Sequence, residues 1–142
     1  MSISDWQQFF EDGRNFHKTA CGAVKRPEIF TPEIIQNIAA MAIEKYFMAI
    51  FMKRGFMPFN HTMTDLISAA AAMALPLKSD LIETLYYMDK LQQICSFDSF
   101  KITPPTETDI PRFIKAADDV AELAAKELKI NVTAHENLNA RF

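Results

Sequence analysis

The stretch TPEIIQNIAAMAIEKYFMAIFMKR, from Thr31 to Arg54, constrains this chain more than any other. Thr31 supplies a capping hydroxyl, Pro32 suits a first helical position whose N–H would go unpaired anyway, and Glu33 favours the positive end of the helix dipole. No Gly or Pro interrupts the roughly six turns that follow. Projected at about 100° per residue, Ile34, Ile35, Ile38, Ala39, Met41, Ala42, Ile43, Tyr46, Phe47, Ala49 and Ile50 cover roughly two thirds of the circumference, far more than one core-facing stripe. Glu33, Asn37 and Glu44 leave one polar strip. Such a helix needs several neighbours, a second copy of the chain among them. The pattern predicts Ile35, Ala42, Tyr46 and Ala49 facing the core, with Phe47 and Phe51 at an edge where a second subunit packs.

The 142 residues suit one domain able to bury its core without disulfides or metal, spanning residues 1–130 with a polar tail over 131–142. Charged residues make up 23% against 49% hydrophobic, which excludes disorder, and three Gly argue against a chain of tight β turns. A net charge of −3 gives no broad footprint for DNA. The acidic start MSISDWQQFFEDGR lacks the basic and apolar regions of a signal peptide, and Glu44 and Lys45 interrupt the longest apolar run, so a soluble cytoplasmic protein without a membrane partner is expected. Cys21 and Cys95 have no metal-ligand spacing and read as reduced thiols.

A first helix is expected from Asp5 to about Cys21, capped by Ser4 and Gln7, stopped by Gly22, and buried through Trp6, Phe9, Phe10, Phe16, Ala20 and Val24. Gly13 marks a kink or a close helix contact. Beyond Arg54, GFMPFNHTM reads as an unusually apolar loop that folds back on the protein or sits in an interface. Thr62 and Asp65 box a third helix that Pro76 ends. A fourth runs from Ser79 to about Ile94 on Leu81, Leu85, Met88, Leu91 and Cys95, and residues 96–105 are extended or looped. Thr106 and Asp109 box the last, which buries Ile110, Phe113, Ile114, Ala117, Val120, Ala121, Ala124 and Leu128. The fold class is therefore all-α, an antiparallel up-down bundle of four to five helices.

Chemistry is sparse. Arg54 and His61 form a candidate catalytic pair, a cation and a general acid or base for metal-free phosphodiester cleavage. The structural alternative has Arg54 at its helix C-terminus and His61 bonded to loop backbone. Arg14 and His17, neighbours at i and i+3, and the Glu44-Lys45 break are candidate ligand-binding groups. A solvated edge explains the first pair equally well, and a lysine that snorkels explains part of the second. Asp118, Asp119 and Glu122 read as a solvated acidic face, since no His or Cys at matching spacing makes a metal site. No cofactor motif is present.

The run Ala42-Ile43-Glu44-Lys45-Tyr46-Phe47-Met48-Ala49-Ile50, the Gly- and Pro-containing loop after it, His61 and the Asp65-Leu66 pair resemble the HEPN family (higher eukaryotes and prokaryotes nucleotide-binding domain). There a central helix with an Ala-x-Glu-Lys core leads through a short loop to a His-Asp-Leu-like helix start. The likeness covers about Asp5 to Lys129. It implies a helical bundle, commonly a homodimer, that partners a nucleotidyltransferase, binds nucleotide or RNA, or acts as the ribonuclease toxin of a toxin–antitoxin pair. Ribonuclease members place Arg and His on or beside a later helix, where this chain has Phe97-Asp98-Ser99-Phe100-Lys101. The expected function is therefore a non-enzymatic, homodimerising module for a nucleotide-type ligand or a nucleotidyltransferase. The alternatives are a metal-independent endoribonuclease using Arg54 and His61, and a purely structural interaction module.

Overall fold

A computed structural model describes residues 5–92 and 104–130. Among them are five α-helices and no strand: α1 (Asp5–Val24), α2 (Pro32–Lys53), α3 (Met63–Ala72), α4 (Ser79–Gln92) and α5 (Ile110–Glu127), the last preceded by a 3-10 turn over Glu107–Asp109. The expectations placed on Ser4, Cys95, residues 96–103 and the tail from Asn131 lie outside the described residues.

The caps form where the sequence places them. Thr31 accepts from the Ile34 N–H at 3.3 Å, Thr62 accepts from the Asp65 N–H at 3.1 Å, and the Asp109 carboxylate accepts from the Thr106 N–H at 2.9 Å. The ends depart from expectation. Gly22 does not stop α1, which runs on to Val24 because buried Ala23 still packs inward. Val24, expected in the core, is exposed. α2, α3 and α5 each close with a residue in the left-handed region, Gly55 (φ 76°), Ala74 (φ 58°) and Lys129 (φ 58°). In each case the next N–H donates to the carbonyl five residues back: Phe56 to Phe51, Leu75 to Ala70, Ile130 to Ala125. Only the first uses the residue the motif favours.

α2 lies along α1 over most of its length, and α5 packs against both. α3 and α4 pair with each other, with α4 reaching α5 and α3 touching α2 lightly. Ile35, Ala42, Tyr46 and Ala49 are buried as expected. Phe47 and Phe51 are not at an edge, because both are fully buried and stack on each other with ring centroids 5.8 Å apart. Burying each such side chain contributes roughly 1.5–3 kcal/mol. The side left open instead carries Ile34 and Met41, which are 41% and 43% exposed. α2 is also long and apolar enough to cross a membrane, yet most of that span is buried within the protein.

Gly13 explains how α1 and α2 approach so closely. A Cβ there would stand 2.8 Å from Cδ1 of Tyr46, closer than real contacts allow. The ring cannot yield, since it is fully buried and its hydroxyl is held by His17. Gly13→Ala is expected to lower stability by about 1–3 kcal/mol in urea unfolding despite the better helix propensity of Ala; a more stable variant would show that the helices can part freely. Ala74→Gly is expected to raise stability by roughly 1 kcal/mol, because it relieves the left-handed backbone. An unchanged or lower urea midpoint would contradict that strain.

Candidate functional site

Two polar constellations stand out, one buried and one at the surface. The buried one begins with α1, whose inward positions include Phe10, Gly13, His17, Ala20 and Cys21. His17 is thus a core position occupied by an imidazole, and it is fully buried. Its Nε2 donates to the Asp118 carboxylate of α5 at 2.6 Å, and its Nδ1 lies 3.0 Å from the Tyr46 hydroxyl of α2. Burial, with smaller contributions from Asp118, Cys21 and Glu11 against an opposing one from Arg14, pushes the Tyr46 phenol far above its ordinary range. Tyr46 therefore keeps its proton and donates to Nδ1. Among the described residues no buried side-chain N or O lacks a partner.

This chain of bonds joins three helices. Only Asp118 reaches solvent, with its side chain 38% exposed. Arg14 is bonded at 3.2 Å to Glu11 on the same helix and contributes charge near Tyr46. The reading of Arg14 and His17 as a solvated edge does not hold for His17, and the reading of Asp118 and Asp119 as a solvated acidic face does not hold either. Asp118 pairs with a buried ring, and Asp119, only 12% exposed in its side chain, holds Lys115 at 3.0 Å and Lys78 at 3.7 Å. One turn along from His17, burial and then the charge of Asp118 push the Cys21 thiol up to about 11, so it stays protonated and inert at neutral pH.

The second constellation is a groove of about 980 Å³ between α2 and the start of α3. Asn37, Ala40, Met41 and Glu44 form one wall, residues 60–65 the other, and Asp89 of α4 closes it. Asp89 accepts from the backbone N–H groups of Met63 at 2.9 Å and Thr64 at 2.6 Å, and so caps α3 from a different helix. His61 places Nδ1 3.0 Å from Glu44 and Nε2 3.1 Å from the Pro58 carbonyl. Both partners accept, so making both bonds at once requires a proton on each ring nitrogen. Glu44, Asp65 and Asp89 set three carboxylates against one imidazole here, so the groove repels anions.

The structure brings Glu44 and His61 together, although the sequence assigned them to different roles. It does not bring Arg54 to His61. Arg54 bonds Glu127 at 2.5 Å and the Met73 carbonyl at 3.2 Å, tying the end of α2 to α5 and α3. Lys45 sits over the Phe9 ring at 5.3 Å, a cation–π contact on the α1 side rather than in the groove. Tyr46, Asp89 and Asp118 were missed as polar partners. One local signal existed, the place of His17 on the apolar rhythm of α1; partners 29 and 101 positions away leave none. No family model, curated protein or solved structure matches the chain.

Tyr46→Phe removes the hydroxyl and leaves Nδ1 of His17 buried without a donor. A loss of about 1–3 kcal/mol is expected in equilibrium urea unfolding. Stability equal to that of the unaltered protein would mean that the bond contributes nothing.

Proposed function

We propose that this chain is a non-enzymatic, HEPN-like interaction module, an antiparallel helical bundle that self-associates through the open face of α2 and the segments at its two ends. One observation carries the reading. Of the eight exposed large hydrophobic residues among the described residues, six (Ile29, Ile34, Met41, Phe56, Met57 and Phe59) lie on α2 or in the connections flanking it. Phe59 is fully exposed, and although Phe56 meets the edge of Phe51 at 6.1 Å, it remains 46% exposed. Large apolar side chains left exposed on and around one helix mark a contact with another macromolecule.

The charge pattern supports a protein partner over a nucleotide. Arg54 is engaged with Glu127, Lys53 donates to the Leu128 carbonyl and covers the Trp6 ring, and the groove beside the apolar loop is acidic. A phosphate group finds repulsion there, whereas a second protein surface finds apolar area and hydrogen-bonding rims. A nucleotidyltransferase remains the partner that the HEPN resemblance suggests, and the cytoplasm the setting that the acidic N-terminal sequence and the interrupted apolar run suggest.

Light scattering of the purified chain is expected to give twice the 16.2 kDa of one copy at micromolar concentration. A single-copy mass throughout overturns self-association. Cleavage of labelled RNA that disappears in His61→Ala overturns the non-enzymatic reading. A thermal shift produced by millimolar nucleotide overturns the preference for protein over nucleotide.

A further inference from the structure

We infer that His61 is a proton-operated clasp: with a proton on each ring nitrogen it fastens the loop after α2, residues 55–61, to α2 through Glu44, and on losing one proton it releases that loop. The inference goes beyond self-association, because the clasp lies within a single chain. His61 places Nδ1 3.0 Å from the Glu44 carboxylate and Nε2 3.1 Å from the Pro58 carbonyl. A neutral imidazole has one N–H and one lone pair, whereas a carboxylate and a carbonyl offer lone pairs only. Holding both contacts therefore takes two protons. The count is the same if the proton of the first contact sits on Glu44 instead of Nδ1. With one proton gone, a ring lone pair faces either the carboxylate at 3.0 Å or the carbonyl at 3.1 Å, and that contact turns from attraction to repulsion.

The surroundings carry the charge opposite to an imidazolium on every side. Glu44 faces the ring from α2, Asp65 lies in the first turn of α3, and Asp89 reaches in from α4. The loop itself has no charged residue between Gly55 and Thr62, and no Lys or Arg is among the described residues that line the groove. The cations of α2 and its end are engaged elsewhere, Lys45 over the Phe9 ring, Lys53 with the Leu128 carbonyl and Arg54 with Glu127. The side chains of His61 and Glu44 are 35% and 30% exposed, so they meet partly out of water, where a lost bond matters more than at an open surface. A hydrogen bond to a charged group shifts the balance between fastened and released loop by roughly 10-fold. An imidazole exchanges its second proton within the physiological pH range. The loop also carries the exposed side chains of Phe56, Met57 and Phe59, so the proton on His61 governs how this apolar surface is presented.

Nuclear magnetic resonance of the isotopically labelled full chain tests the clasp, with helix content of each variant checked by circular dichroism. At about pH 5.5 both ring nitrogens of His61 are expected to carry hydrogen, and the backbone amides of Met57, Phe59, Asn60 and His61 to have order parameters of about 0.85. At about pH 8 the same amides are expected to fall below about 0.6. His61→Ala is expected to leave the loop loose at both pH values. Glu44→Gln separates a proton clasp from a merely structural contact. Its amide can donate to Nδ1 while a neutral ring still donates to Pro58, so the loop is expected to stay ordered at about pH 8. Equal loop order in the unaltered chain at the two pH values overturns the clasp. An ordered loop in His61→Ala overturns it as well, and so does a Glu44→Gln loop that loosens with pH as the unaltered one does. A single-copy mass in light scattering, which overturns self-association, leaves these outcomes untouched.

Discussion

The close approach of α1 to α2 at Gly13 is the constraint on which the rest depends. With no side chain at that point, the Tyr46 ring lies against the α1 backbone, and its hydroxyl arrives at His17. The ring of Phe10 packs tilted against Tyr46 with centroids 5.4 Å apart, and that of His17 meets it edge-on at 5.8 Å. α5 then completes the arrangement by bringing Asp118 to the far nitrogen of His17. A buried imidazole between a phenol and a carboxylate is tolerable only when both nitrogens are satisfied, so the three helices are held in one relative placement.

The surface follows from the same packing. Once α1 and α5 occupy two sides of α2, its large aromatic residues Tyr46, Phe47 and Phe51 are all inside, and the remaining side carries Ile34, Asn37, Met41 and Glu44. The start of α3 stands across from that side and makes the groove. Asp89, reaching over from α4, satisfies the N–H groups of α3 that the chain's own cap leaves, and so fixes the far wall. The cations near the end of α2 turn away from the groove toward α5. What remains there is acidic and apolar.

Much of the local structure is legible in residue order. Thr31, Thr62 and the Thr106–Asp109 pair mark helix starts because a capping oxygen acts within a few residues of the N–H it satisfies. The apolar rhythm of α5 names its buried face, since Phe113, Ala117, Val120, Ala121 and Ala124 are all inside. Ends without glycine are harder to read. Ala74 and Lys129 adopt left-handed backbone only because the following N–H finds a carbonyl one turn back, and nothing in an Ala or a Lys signals that.

The amino-acid sequence by itself determined that the chain is helical, where most of its helices begin, and that α2 needs neighbours on several sides. These follow from periodicity and from interactions spanning three or four residues. Only the tertiary structure decided which side of α2 stays open, that His17 joins Tyr46 and Asp118, and that Glu44 meets His61 while Arg54 turns to Glu127. Those contacts join residues 17 to 101 positions apart. Two thirds of a helix circumference can be apolar in sequence, but which third meets solvent depends on where other helices come to rest.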